Sequence, residues 1–438
     1  MSSLHDLTAR LYPLRRSLTG DGVRATLRVL GERLPMLVQH EMPSGRPVLD
    51  WTVPDEWNWR EAWIDDDHGR RIVNADRHGL HLVGYSVPVR ERLTWSELRP
   101  HVHSLPDRPD LIPYRTAYYA KTWGFCLRHR TVQELDERGD DAVYEVCIDA
   151  TREPGALTYG EVILPGATED TVLISAHVCH PMLANDNLSG LVVSAALAER
   201  LAARPDRRYT YHFVWAPGTI GAITWLAQNP TRVPLVRHGL ILANLGDAGG
   251  FTYKRSRPGT FGAASAEIDR AVALAMRDAG EQLDERPFTP YGYDERQYGS
   301  PGFNLPVGCF TRTPYGEYPE YHTSADNLDT VSEAQLQGAL ARLTDTVDIL
   351  EANRFLRNLN PNGEPQLGRR GLYRALGGLP DAPTQQLALL WTLNMASADR
   401  TPTFDLLAVA ERSGLPFVAL RKAADLLEEH GLVERFKT

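Results

Sequence analysis

The chain has 438 residues, 42% of them hydrophobic and 24% charged, with a net charge of -9. That length exceeds one ordinary domain and predicts two or three, with room for a large buried core. The acidic balance argues against a general nucleic-acid binder or a protein drawn to anionic membranes. No apolar run approaches the roughly 20 residues needed to span a bilayer, and Met1 to Asp6 lack the basic start and apolar stretch of a secretory signal. Four cysteines, Cys126, Cys147, Cys179 and Cys309, form no CxxC pair and are too scattered for a disulfide framework, so a reducing cytoplasm is the expected compartment.

Residues 4–34 read as helical, with Leu4, Leu7, Leu11, Val23, Leu27 and Leu30 near helical spacing. From Val48 to about Pro113 the character changes. Trp51, Val53, Trp57, Trp59 and Trp63 crowd a polar stretch, and short alternating runs such as Gly79 to Val87 follow, which predicts a small β-rich module with a compact aromatic core. From about residue 140 strands and helices alternate. Strands are predicted at Tyr144–Asp149, Thr171–Ala176, Tyr209–Ala216 and Gly239–Leu245. Helices are predicted at Ser189–Ala203, Ser265–Asp278 and Asp329–Phe355, the last opened by Asp329 and Thr330 with Glu333 three residues on. This alternation implies an α/β layer fold with a mostly parallel central sheet flanked by helices, in which chemistry collects at the carboxyl ends of the strands.

Asn358 to Gly368 is rich in Asn, Pro and Gly and reads as a linker. Beyond it, Thr384–Met395, Phe404–Ser413 and Pro416–Gly431 form helical runs. The turn Ser413-Gly414-Leu415-Pro416 separates the last two in helix-turn-helix style, and Leu432 to Phe436 begins a wing. From Gly368 on there are 9 Lys/Arg against 8 Asp/Glu, so the basic face of a DNA reader is missing, and protein contact or a structural use is the better expectation.

Two runs carry candidate metal ligands. The first, Val172 to Pro181, brings His177 off the end of an apolar strand, and Asp186 follows in Asn185-Asp186-Asn187-Leu188-Ser189-Gly190 at a helix start. The second, Glu317 to Asn327, contains Glu320, His322 and Asp326. Imidazole and carboxylate ligands aimed at one point suit zinc, and a catalytic zinc keeps a position open for water. Asp186 and its neighbours also read as helix caps, and Asp247, which ends the strand Leu240 to Gly246, also reads as a turn residue. Tyr253, Arg255, Arg296 and Tyr298 are candidate substrate contacts, the arginines through bidentate pairing with a carboxylate. There is no GxSxG elbow, GxxxxGKS loop or GxGxxG run, so serine hydrolase, NTPase and dinucleotide readings lack support.

Taken together, Ser175 to Pro181, Asn185 to Gly190, Gly246-Asp247 with Phe251 to Arg257, Asp294 to Tyr298, Ser300 to Gly308 and Arg312 to Leu328 resemble the zinc aminopeptidase clan. They more closely resemble its aminopeptidase-like family of unassigned function, which carries an inserted β-rich domain and a C-terminal winged helix. The resemblance covers almost the whole chain. It implies a catalytic domain over 1–49 and 116–360, an inserted domain over 50–115 and a winged-helix domain over 368–438. It also implies one or two zinc ions, with His177 and Asp247 on one, His322 on the other and Asp186 on both. His180 and Asp326 would support these ligands, and Cys179 stands where classical members place an Asp that orients the first His.

One departure matters. Where the family pattern is Pro-Glu-Thr-Ile-Gly, this chain reads Pro217-Gly218-Thr219-Ile220-Gly221. The missing acid would be a ligand or the general base, and losing a base typically costs about 10²–10⁴ in rate. Either one zinc remains, or another carboxylate (Glu295, Glu317 or Glu320) takes over, with Glu295 and Glu320 the catalytic candidates, or hydrolysis has been abandoned. The expected activity is metal-dependent hydrolysis of an amide in a small-molecule N-acyl compound or short peptide. Cyclisation or acyl transfer on the same metal, or a catalytically degenerate binding protein, are the alternatives, and self-association is left open.

Overall fold

The computed structural model describes residues 3–262, 264–372 and 382–436. Residues 373–381, 437 and 438 of the expected winged-helix domain lie outside them. By compactness the chain divides into one unit of residues 1–264 and 284–340 and another of 265–283 and 341–438.

The first unit is built on an eight-stranded sheet: β1 (Val38–Pro43), β2 (Ala156–Leu164), β3 (Thr171–His177), β4 (Thr210–Ala216), β5 (Val236–Leu242), β6 (Phe251–Lys254), β7 (Leu283–Arg286) and β8 (Val307–Thr311), in the order β1-β2-β4-β3-β5-β8-β6-β7. The inner strands β4, β3, β5 and β8 run parallel. β2 joins β4, β1 joins β2, and β6 joins β8 antiparallel, so the sheet is mixed. Every residue of β3 is buried, which is why its sequence is a continuous apolar run rather than an alternation. Helix Gly190–Ala202 packs on this sheet along nearly all its length. Its first residue must be glycine, because a Cβ there would lie 2.3 Å from the Leu242 carbonyl oxygen.

A second sheet of four strands has the order Arg71–Asn74, Glu56–Asp66, Val143–Glu153, Val89–Thr94. The β-rich module therefore needs a strand from beyond residue 115. Val143–Glu153, read from its sequence as part of the α/β alternation, instead pairs along Glu56–Asp66 from Glu56↔Glu153 to Asp66↔Tyr144. The aromatic core expected here is present: Trp57 is buried, stacks on Tyr85 and donates from Nε1 to the Ser86 carbonyl at 2.9 Å, although Trp51 is 43% exposed. This core is continuous with that of the large sheet through Val214, Ile241, Trp225 and Tyr298.

The second unit contains helices Glu267–Asp278, Ala382–Met395, Leu406–Ser413 and Phe417–Glu429. Its wing strand Val433–Arg435 pairs antiparallel with Leu356–Asn358. It takes in more chain than the expected 368–438 because Glu267–Asp278 is tied to the tail by side chains. Arg270 reaches Asp405 at 3.0 Å, Arg277 donates to the carbonyls of Ala410 and Leu415, and Asp278 accepts from the Phe417 N–H at 2.6 Å. Asp405 caps the helix that follows it by accepting from the Ala408 N–H.

Candidate metal centre

The centre lies in the first unit, past the carboxyl end of β3. That strand delivers His177, and the segment 184–189 turns back under it and carries Asp186 across a cis Asp186–Asn187 peptide. Asp186 is fully buried. Its Oδ1 is 2.8 Å from His177 Nε2 and its Oδ2 is 3.0 Å from His322 Nε2. His180 Nδ1 is 3.4 Å from Oδ1, and the Tyr293 hydroxyl donates to Oδ1 at 3.2 Å. One carboxylate thus meets three imidazoles that lie edge-on to one another, His177 to His180 at 4.9 Å and His180 to His322 at 5.3 Å between ring centres.

Each member has a fixed support. Asn187 places its side-chain nitrogen 3.3 Å from His177 Nδ1 while donating to the Leu242 carbonyl, which leaves Nε2 for Asp186. Asp326 accepts from the Asn185 N–H at 2.6 Å, the Asp186 N–H at 3.0 Å and the Tyr318 hydroxyl at 3.0 Å, so it holds the backbone that carries Asp186. Tyr321 stacks on His322 with ring centres 3.9 Å apart. The buried guanidinium of Arg16 donates from Nε to the His180 carbonyl at 2.8 Å.

The electrostatics favour a cation. Burial would raise the Asp186 carboxyl, but His180, His177 and His322 overcome it and hold the group well below the ordinary carboxylate range. Burial pushes His177 below the usual imidazole value, toward its neutral, ligating form. Among the described residues, His177, His180 and Asp186 offer ligand atoms within 4.8 Å of one another, a donor set of the kind zinc takes. His322 on the other oxygen of Asp186 could hold a second ion.

Of the remaining sequence candidates, Cys179 lines the cavity beside the imidazoles. Asp247 accepts from the Gly249 N–H (2.7 Å), the Thr313 hydroxyl (2.6 Å) and the side-chain amide of Asn185 (2.9 Å), the residue next to Asp186. Cys179 does not orient His177. Its sulfur accepts from the Gly218 N–H at 3.3 Å, and Asn187 stands at the imidazole instead. Glu295 is fully buried in an ion pair with Lys254. Tyr298 is a core residue whose hydroxyl lies 3.3 Å from the Ser175 hydroxyl, and Tyr253 is buried against Gly308. Arg255 is 3.5 Å from Glu285 and donates to the Gly259 carbonyl. None of Glu295, Glu320, Tyr253, Arg255, Arg296 or Tyr298 lines the cavity beside the imidazoles.

That cavity has a volume of about 300 Å³. His177, His180 and His322 form one wall, Tyr114 and Tyr118 another, and Gly218 and Asp294 close a third. Asp294 was not singled out from the sequence, although it heads the run Asp294 to Tyr298. It is 3% exposed, and its Oδ1 accepts the Thr219 N–H at 2.6 Å. Burial raises its carboxyl to about 7. Asn187 and Tyr293 were missed as well, and only the neighbourhood of Asp186 and Asp294 could have pointed to them.

Comparison with known proteins gives a consistent lineage. Residues 5–353 match the model of a domain of unknown function, DUF4910, and residues 354–435 match that of a winged helix-turn-helix. A Clostridium acetobutylicum protein named for polysaccharide biosynthesis and an aminopeptidase-like domain is 41% identical over 97% of this chain and 94% of its own. A crystal structure from the same organism, named as a peptidase, superposes with a TM-score of 0.90 at 38% identity, covering 99% of this chain and 96% of that one. A Bacillus subtilis zinc aminopeptidase superposes at 0.57 with 14% identity, covering 79% of this chain and 93% of that one, a likeness of fold.

Proposed function

The chain belongs to the DUF4910 family, and from that premise we propose a zinc-dependent hydrolase that cleaves an amide bond in a short peptide or small N-acyl compound. The observation that carries this reading is the single buried carboxylate of Asp186, with His177 on one oxygen and His322 on the other, at the wall of a cavity large enough for a small substrate. His177, His180 and Asp186 would hold the first ion, and Asp186 with His322 a second. Bound there, zinc supplies a polarised carbonyl and a water of lowered pKa. The chain's own residues do the rest. Asp326 and Asn187 keep Asp186 and His177 in place, and Tyr114, Tyr118 and Tyr321 give the cavity apolar faces against which a substrate side chain can pack.

Elemental analysis of protein purified without chelators, followed by a panel of aminopeptide and N-acyl substrates, tests the reading. One relative is named for polysaccharide biosynthesis, which puts N-acyl amino sugars on that panel. Bound zinc and metal-dependent release of an amine are expected, and a metal-free, inert protein overturns the reading. A second reading has one observation behind it: Gly218 offers no acid, so a substrate amine could replace water and the outcome would be acyl transfer or cyclisation. Product mass separates the two, because hydrolysis adds a water.

A further inference from the structure

The loop after β4 reaches the metal centre without a carboxylate of its own. A Cβ built on Gly218 would lie 3.5 Å from the Cys179 sulfur and 3.7 Å from the His177 Cβ, so a side chain here would stand over the imidazoles. On the same wall a different segment closes on this loop, and Asp294 accepts the N–H of the very next residue, Thr219, with Oδ1. The other oxygen of Asp294 takes no hydrogen bond from any described residue. Glu295 cannot serve, because Lys254 claims it, and Lys254 also donates to the Tyr291 carbonyl at 2.8 Å, which pins the segment that presents Asp294.

We propose that Asp294 is the proton-transferring carboxylate of the hydrolysis, delivered by a different segment of the chain to the place that position 218 leaves empty. This rests on the hydrolase reading above. In the step, Asp294 Oδ2 takes a proton from water as the water oxygen bonds to the amide carbon. It then gives that proton to the amide nitrogen as the C–N bond breaks, which leaves a carboxylic acid, an amine and Asp294 again as carboxylate; the second water proton then passes from the new acid to the amine, so the products are a carboxylate and an ammonium. Oδ1 stays on the Thr219 N–H, which keeps the carboxylate aimed. The ionisable groups that act on Asp294 are Glu295, Arg296 and Tyr298 on its own segment, with His180 and Cys309 from the elements packed against it. Burial outweighs them and leaves the group near neutrality, where a base works best at neutral pH.

The test is Asp294→Asn, which preserves the acceptor for Thr219. On the metal-loaded full chain, kcat should fall by about 10²–10⁴ with KM and zinc content little changed. The fall of kcat/KM below about pH 7 should vanish. In metal-free protein, burial raises both Asp294 and Asp326 to about 7, so the infrared carboxyl intensity that titrates near neutral pH in the wild type should be reduced, though not abolished, in the variant. Adding Gly218→Glu to Asp294→Asn should recover part of the lost rate. Wild-type kcat in Asp294→Asn, or an unchanged infrared titration, overturns the assignment of Asp294 while leaving the hydrolase intact. Loss of zinc in the variant makes Asp294 a structural support and also overturns it. A wild type without metal or turnover instead sinks the hydrolase reading itself.

Discussion

Asp186 and Glu161 each have an imidazole on both oxygens, Asp186 those of His177 and His322 with His180 as a third at 3.4 Å, Glu161 those of His212 and His40. Residue type and pairing are nearly the same, yet the surroundings differ. Glu161, His212 and His40 sit on the neighbouring strands β2, β4 and β1, and the Trp225 Nε1–H donates to the same Glu161 oxygen as His212 at 3.0 Å. Both oxygens are used, and Glu161 and His212 are buried within the sheet. Asp186 sits in a turn past a strand end, where the imidazoles face open volume. The lesson is that a carboxylate with two histidines becomes a candidate centre only where the backbone leaves the sheet. Inside the ladder the same trio is a structural clasp.

The largest test of this contrast is Asp186→Asn. It should lower zinc affinity by more than about 100-fold and abolish turnover, whereas Glu161→Gln should leave the metal content unchanged, as read by elemental analysis. If Glu161→Gln loses the metal, the contrast is broken. Next comes Glu161→Ala, which leaves buried donors on His212 and Trp225 unsatisfied and should cost roughly 2–5 kcal/mol in urea unfolding without touching zinc. The pH dependence sharpens this. Burial pushes the Glu161 carboxyl up, but His212, Trp225 and His40 outweigh it and bring it down to about 2 from the ordinary 4.5. Because the folded value is depressed, the stability it contributes is present above about pH 4.5 and is lost as the pH falls toward 2. The difference in urea midpoint between wild type and Glu161→Ala should therefore shrink across that window. The smallest effect belongs to His40→Ala, whose 37% exposed side chain should be worth no more than about 1 kcal/mol.

Much of the frame was legible because its periodicities are strong. The apolar run of β3, the Ala- and Leu-rich helix after Asp186 and the helix-turn-helix tail all read from local pattern. Val143–Glu153 did not, since a strand's own alternation says nothing about which sheet it joins. At the centre, His177, Asp186 and His322 stood out because each lies at the edge of an apolar or turn-forming run, and the structure brings them together. Asp247 has the same signature, and its partners, Thr313 and Asn185, could not be read from its own run. Asp294 was hidden by its neighbour. In Asp294-Glu295 both residues are acids, and which one faces the cavity depends on Lys254, far upstream in the chain, capturing Glu295.

The reach of Arg16 into this region has a practical side. Its guanidinium grips the carbonyl of His180 from the amino-terminal segment and also bonds back to the Leu11 carbonyl. An expression clone trimmed to begin after that arginine would keep every ligand yet free the peptide that aims His180, so the choice of start site bears directly on whether the recombinant protein can be loaded with metal.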